Sequence, residues 1–541
     1  MTAIQRYTDE MIDAWVAAGH WTPQRTVDFW RQNARTRPDA GALADDRVTY
    51  TWSEALRAVD GIAAGLVSAG TPRDAVLLAQ GPNSALFVLF RLACEEAGVI
   101  PAFLHAGFRR AEIDAVARKV DPVGAVIGAD DRFDALGLYR DLSGRLPGMS
   151  RLFSIERNSQ GMASIAELAQ GPAHPDIAER RIRPYEMTGI VTSSGTTGLP
   201  KCIEYSCWPR LASGRVYIER LRITERDVVL SCIPFSTGGG DMQFHTTAQA
   251  GARYIVLPKF SPEAVCALIE RERVTGAVMV PTMIARVLQL PGLGGHDLSS
   301  LRWVVSGGGM LPYEIGARFE QATGAKIIQG YGLMDYGAVA SHGVDDPSEM
   351  RLRSNGRLLP GTELLVLDEQ QRALPAGATG EICGRGPHCN GGYIGDASGT
   401  ANAWRDGFFH TGDLGRLTSD GFLVLEGRSK DIIIRGGQNI SAPEVEMILC
   451  RHPAVADAAM VAVPDQEMGE RACAFIVLRP GARLDLAAVA DFMKSQELAA
   501  WKIPEMLKIV AEFPMTAAGN KVDKRALAAR LRVSPERSPD S

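Results

Sequence analysis

The stretch from Thr192 to Lys201, TSSGTTGLPK, constrains this chain more than any other. Three small hydroxylic residues lead into Gly195, two threonines follow, and Gly198, Leu199, Pro200 and Lys201 close the run. A loop of this composition brings backbone N–H groups and hydroxyls close to polyanionic oxygens without bulky side chains in the way. The preceding MTGIV, Met187 to Val191, reads as a short buried strand feeding the loop. It is not a Walker A loop, which needs Lys and then Ser/Thr directly after its second glycine. Here Leu199 and Pro200 separate Gly198 from Lys201, and Cys202 follows. A flexible Ser/Gly linker is the bland alternative for this stretch taken alone.

The rest of the chain argues against a linker. With 541 residues it is too long for one ordinary core, so two or more domains are expected. An apolar content of 46% and a charged content of 22% are globular values. A net charge of -5 gives no electrostatic argument for nucleic acid or an anionic membrane. The nine cysteines are scattered; Cys202/Cys207 and Cys383/Cys389 lack a matching second pair, so no zinc site is expected. Reduced cysteines suit a cytoplasmic protein, and the acidic N-terminus lacks a basic-then-apolar signal pattern. The longest apolar region, Ser84 to Leu104, is broken by Arg91, Glu95 and Glu96, so no membrane span is expected.

Along the chain, strand and helix patterns alternate. Helices are expected at 26–37, 50–68 and 111–119, with a further one after Gly81-Pro82-Asn83, and strands at 75–78, 99–103 and 124–127. After the loop come strands at 228–234, 254–257 and 276–280 and a helix at 262–272; Gly238, Gly239 and Gly240 read as a loop. Strands at 303–305 and 326–329 run into Gly307-Gly308-Gly309 and Gly330-Tyr331-Gly332, placing open backbone at a sheet's carboxyl edge, where α/β proteins bind ligands. From about Gly361, short alternating runs suggest a small antiparallel β subdomain, and an Ala-rich αβ unit follows from Pro443 to Arg530.

Five motifs stand in one order: TSSGTTGLPK at 192, QGYGLMD at 329, HTGD at 410, GRSKDIIIRGGQNI at 427 and PMTAAGNKVDK at 514. Together they resemble the adenylate-forming superfamily of acyl-CoA synthetases, peptide-synthetase adenylation domains and luciferases, over nearly the whole chain. The resemblance implies an α/β fold. A large N-terminal domain of stacked mixed sheets with helices and a small β subdomain would span 1–426, and a small mobile α+β domain 427–541.

The implied reaction joins a carboxylate to the α-phosphate of ATP, expels pyrophosphate, and passes the acyl group to a thiol. By the resemblance Thr192, Ser193, Ser194, Gly195, Thr196 and Thr197 cradle the phosphates, and Lys201 closes that loop as a catalytic positive charge. Gly307, Gly308, Gln329, Gly330 and Tyr331 would hold adenine; Asp413 would accept from the ribose hydroxyls, with Arg428 in support. Asp335, with Thr197, would hold Mg2+, since hard oxygen ligands suit that ion. The sequence departs from the common YGxTE pattern here, with Met334 for Thr and Asp335 for Glu.

Lys521 matches the catalytic lysine of adenylation, with Asn520 inserted after Gly519 and Lys524 as the fallback. Lys430 matches the hinge about which family members rotate the C-terminal domain between half-reactions, and Gly436 and Gly437 would line the pantetheine tunnel. Phe235, Gly238, Gly239, Gly332 and Met334 would shape the acid pocket. Relatives that activate 2-hydroxybenzoates usually carry His-Asn after the strand that here ends at Pro234; Phe235-Ser236 stands there instead. That argues against salicylate or dihydroxybenzoate; IRGGQNISAPEVE and the segment His452 to Val477 resemble stand-alone aryl-acid or alicyclic-acid ligases, so an aryl or cyclic acid is the first expectation and a medium-chain fatty acid the second. The acceptor would be CoA or, alternatively, the phosphopantetheine of an acyl or aryl carrier protein. A non-catalytic acyl-nucleotide sensor is the minor alternative, and a homodimer is left open.

Overall fold

The computed structural model describes residues 8–129, 134–156, 162–193, 200–428, 432–435, 438–465, 468–496, 502–516 and 521–532. The chain forms two compact units: 1–364 with 384–409 and 421–423, and 365–383 with 410–420 and 424–541.

The first unit is built on two large sheets. In one, the neighbours run Lys326–Leu333, Trp303–Ser306, Gly276–Met279, Val228–Ser231, Arg253–Val256 and Gly41–Ala44, with short strands added at both edges. These six strands are parallel throughout, and most of their residues are buried. Helices cover both faces of such a sheet, which is why its strands read as continuous apolar runs rather than alternating ones. In the other sheet Gly124–Ile127, Val76–Gln80, Ile100–Leu104 and Met187–Ser193 are parallel, and Lys201–Ser206 returns antiparallel along Met187–Ser193. The register pairs Thr192 with Cys202 and Ser193 with Lys201. The glycine- and threonine-rich run lies in sequence between these two paired strands.

Two expectations are corrected. Gly238, Gly239 and Gly240 open a helix, Gly238–Ala250, rather than a loop. The Thr237 hydroxyl caps it by accepting from the Gly240 N–H at 3.4 Å. A Cβ on Gly240 would lie 2.4 Å from the Pro234 carbonyl oxygen, so close approach, not flexibility, demands glycine there. The strand at 326 does not end at Gly330 but continues to Leu333, with a register shift between Tyr331 and Gly332 in its pairing with Gly337–Ser341.

The charges that interrupt Ser84 to Leu104 form a buried lattice. Arg91, on the helix Ala85–Ala97, donates to Glu95 at 3.0 Å and to the Thr188 carbonyl at 3.1 Å, and lies 3.9 Å from Asp241. Glu96 pairs with Arg25, Arg31 and Arg181 at 3.1, 2.9 and 2.8 Å. His245 lies 3.5 Å from Asp241 and shares a 2.7 Å hydrogen bond with Thr26. Burial alone would raise the Asp241 carboxyl, but His245, Arg91 and Arg210 outweigh it and hold the group below its usual range.

In the second unit, 365–367, 380–383, 410–417 and 424–428 belong to one sheet. Another sheet runs Gln438–Ser441, Ile432–Arg435, Gly469–Leu478 and Val455–Asp465, with Met506–Val510 parallel to Gly469–Leu478. Its faces are covered by Ala442–Leu449 and Leu486–Ser495 on one side and Lys524–Arg532 on the other, around Ile476 and Phe475 respectively.

Removing Arg91 should leave Glu95 without its ion-pair partner and Asp241 with only His245 and Arg210. Arg91→Ala is expected to lower unfolding free energy by about 3–5 kcal/mol, whereas Arg47→Ala, at an exposed pair, should change it by under ~0.5 kcal/mol. Chemical denaturation of the two variants checks this.

Candidate active site

At the base of the hairpin one carboxylate collects three donors. Lys201 Nζ reaches Asp335 Oδ2 at 2.7 Å, Tyr393 OH donates to the same oxygen at 2.6 Å, and Ser193 Oγ donates to Oδ1 at 3.2 Å. Lys201 Nζ also lies 2.9 Å from Tyr393 OH and 4.4 Å from its ring centroid. The backbone explains the convergence. Ser193 and Lys201 face each other across the hairpin, Asp335 follows the strand that ends at Leu333, and Tyr393 bridges to Ile203 on the returning strand. Ser193, Lys201 and Asp335 are read from the sequence, but Tyr393 is not. Its sequence neighbours give no sign that a bridge to Ile203 brings it to the loop.

Thr192 is buried and donates to the Phe103 carbonyl at 3.0 Å, anchoring the loop's first residue to the next strand. Ser194, Gly195, Thr196 and Thr197 lie outside the described residues, as do Lys430, Gly436, Gly437 and Asn520.

Beside the cluster is the expected acid-binding region. Phe235 is buried, with Phe87 and Phe103 edge-on to it at 5.3 and 5.2 Å between ring centroids. Its N–H donates to Asn83 Oδ1 at 2.9 Å, while Asn83 Nδ2 donates to the Ile233 and Leu257 carbonyls at 2.9 and 3.2 Å. Asn83, read from the sequence only as part of a turn, ties together the segments that leave two neighbouring strands. A Cβ on Gly238 would meet Met334 Cγ at 3.5 Å and Tyr205 OH at 3.9 Å; one on Gly239 would meet Ile233 at 2.9 Å. Tyr205 donates to the Met334 carbonyl at 3.3 Å, and Asn390, itself held by Arg210, donates to the same oxygen. Burial pushes the Tyr205 phenol up, so it stays a neutral donor. Tyr205 and Asn390 are further residues that sequence reading misses.

On the expected adenine side, Gly307 has open space where a Cβ would stand, and Gly308 has φ +79°, which suits glycine. Tyr331 is buried, and Gly330 backs onto Tyr217. Gln329 differs from the expectation: its Nε2 donates to the Arg351 and Leu352 carbonyls at 3.2 and 2.8 Å, so its amide donors brace the protein's own backbone. A Cβ on Gly332 would sit 2.7 Å from the Gly337 carbonyl oxygen, so this glycine is required by strand pairing.

In the second unit, Asp413 is buried on Phe408–Leu417, with its N–H donating to Thr411 Oγ1 at 3.0 Å. Arg428 ends the strand Leu423–Arg428. Lys521 is exposed, and its carbonyl accepts from the Thr516 N–H at 2.8 Å. Lys524, by contrast, is ion-paired with Glu446 at 2.8 Å.

Residues 30–394 match the model of the AMP-binding enzyme family, and 444–520 match that of the AMP-binding enzyme C-terminal domain. The chain belongs to the AMP-binding enzymes. Its relatives include pyochelin synthase PchD of Pseudomonas aeruginosa, 34% identical over 98% of this chain and 95% of that one. The medium-chain fatty-acid–CoA ligase of Escherichia coli K12 is 31% identical over 96% of this chain and 92% of that one. Among solved structures, the amide bond synthetase McbA from Marinactinospora thermotolerans superposes with a TM-score of 0.83, at 27% identity, over 94% of this chain and 99% of that one. Among the described residues of this AMP-binding enzyme, no helix is long and apolar enough to cross a membrane.

Tyr393→Phe keeps the ring under Lys201 and removes the hydroxyl's contacts with Asp335 and Lys201, the donation to the Asp335 carboxylate alone being worth ~1.5 kcal/mol. In this ATP-utilising family, kcat/KM for ATP is expected to fall about tenfold, with an unchanged far-ultraviolet circular dichroism spectrum. Steady-state kinetics check it.

Proposed function

We propose that the enzyme activates an aryl or cyclic carboxylic acid with ATP and passes it to the thiol of CoA. In the first step a carboxylate oxygen bonds to the α-phosphorus as the bond to the β-phosphate oxygen breaks, and pyrophosphate leaves with that electron pair. In the second the thiol sulfur, having lost its proton, bonds to the acyl carbon, and AMP leaves.

The observation that carries this reading is the Asp335 cluster at the base of the loop. Bringing a carboxylate against a polyphosphate is mainly a problem of positioning and charge neutralisation. Lys201 sits at the hairpin base with its ammonium on Asp335; exchanging that partner for phosphate oxygens places a positive charge on ATP. Ser193 and the glycines and threonines at 194–197 would supply the cradle. Asp335 and Ser193 offer oxygen donors that fit Mg2+; when bound, the ion would neutralise phosphate charge. Gly307, Gly308 and Tyr331 would receive adenine, and Asp413 and Arg428 the ribose.

The acid pocket is assigned to Phe235, Gly238, Gly239 and Met334, whose apolar surfaces favour an uncharged ring. Lys521, which is exposed, takes the adenylation role by its match to the family's catalytic lysine. Residues 427–541 would act as the lid, with Lys430 as its hinge and Gly436 and Gly437 at the thiol tunnel. Transfer to a carrier-protein phosphopantetheine is the second reading, favoured by the 34% identity to pyochelin synthase. The presence of Lys201, Lys521 and Asp413 argues against a mere nucleotide sensor.

Acid-dependent ATP–pyrophosphate exchange across benzoates, heteroaromatic, alicyclic and fatty acids should be strongest with a cyclic acid and yield a CoA thioester. Exchange without CoA consumption supports the carrier-protein reading, and no exchange with any class contradicts the ligase reading. Lys521→Ala should abolish exchange yet leave thioester formation from supplied acyl-adenylate largely intact; equal loss of both moves the catalytic role elsewhere.

A further inference from the structure

Cysteine spacing along the chain predicts no zinc site, but the fold brings three donors together across two strands. Glu381 and Cys383 are two apart on Gly380–Arg385 and so face the same side of the sheet. His410 lies on the neighbouring strand, Phe408–Leu417. Cys383 Sγ and Glu381 Oε2 each lie 3.2 Å from His410 Nδ1, and the three donor atoms all lie within 4.8 Å of one another. No other such group occurs among the described residues.

The arrangement is not a proton relay. In a relay the nucleophile and the orienting carboxylate use opposite imidazole nitrogens; here both converge on Nδ1. Three donors gathered at one point form a tripod. Tetrahedral zinc, with bonds of about 2.0–2.3 Å, spaces its ligand atoms about 3.3–3.6 Å apart, so the two separations of 3.2 Å from His410 Nδ1 need only a small expansion, and Cys383 Sγ and Glu381 Oε2 lie within 4.8 Å of each other. Cys383 is fully buried, His410 nearly so, and Glu381 largely so. The carboxylate is already oriented, because Glu381 Oε1 accepts from the Gly412 N–H at 3.0 Å. Such second contacts fix ligands for a metal.

We infer that Glu381, Cys383 and His410 form a binding site for a soft divalent cation of the Zn2+ class, with water in the fourth position. One sulfur, one imidazole nitrogen and one carboxylate oxygen suit Zn2+ and its analogue Co2+ and disfavour Mg2+, which takes oxygen ligands. Binding replaces the thiol proton, which passes to solvent, so affinity rises with pH. The other eight cysteines belong to no such group among the described residues. Burial pushes Cys202, Cys266 and Cys473 to about 11 and Cys207, Cys389 and Cys450 to about 12. It lifts Cys94 and Cys232 further still. Because Glu381 also holds the Gly412 N–H, occupancy is coupled to the strand segment that carries Asp413.

The test titrates the full-length, reduced, metal-stripped protein with Co2+ and follows the visible and near-ultraviolet spectrum. One equivalent should give tetrahedral ligand-field bands and a thiolate-to-cobalt charge-transfer band, both displaced by Zn2+. Cys383→Ser should abolish the charge-transfer band, and Glu381→Gln should weaken Co2+ binding by about tenfold or more. Cys389→Ser should keep the band. Absence of the band in the parent, or its survival in Cys383→Ser, overturns the assignment. Circular dichroism confirms folding, and if Cys383→Ser fails to fold, undiminished affinity in Glu381→Gln overturns it instead.

Discussion

The Asp335 carboxylate is the point on which the phosphate-type loop depends. The two strands that flank residues 194–199 are held together at Ser193 and Lys201. There, Ser193 and Lys201, one on each strand, and Tyr393 from beyond the sheet edge all donate to Asp335. A carboxylate with three donors is well satisfied without ligand. It also holds the Lys201 ammonium at 2.7 Å, and in the function proposed above that ammonium changes partner when polyphosphate arrives. Asp is one methylene shorter than the Glu of the common pattern; Tyr393 and Lys201 both reach it directly.

The same logic of paired charges extends into the protein's interior. Arg91, Glu95 and Glu96 on one helix meet Asp241 and His245 on another and Arg25 and Thr26 near the N-terminus. Charges out of water must be partnered, and a lattice of them specifies which helices adjoin. This lattice contacts the helix Gly238–Ala250, whose first turn faces Met334 and Tyr205. The apolar side chains proposed to line the acid pocket therefore adjoin this charge lattice.

Much of the fold is legible in the sequence where local pattern and burial agree. The strand Gly124–Ile127 and the helix Pro262–Glu272 match their expected bounds, the first an apolar run and the second a capped, Pro-initiated periodic stretch. The three glycines at 238–240 mislead because glycine usually signals a turn; here a tight approach to Pro234 and Phe235 requires it inside a helix. In the same way Gly330 and Gly332 lie within a strand. Ser193, Lys201 and Asp335 come together as their motifs suggest. Tyr393, Asn83, Tyr205 and Asn390 are invisible in the sequence because only tertiary pairing delivers them. The Glu381–Cys383–His410 tripod escapes for a related reason: ligand spacing was sought along the chain, and these donors meet across strands.

The central claim is that a carboxylate oxygen attacks the α-phosphorus of ATP, and isotope transfer tests it most directly. With a carboxylic acid that supports exchange, labelled with oxygen-18 in its carboxylate, plus ATP and CoA, mass spectrometry of the nucleotide product gives the answer. The account predicts labelled AMP and unlabelled pyrophosphate. Unlabelled AMP, or label in phosphate alongside ADP, would contradict it.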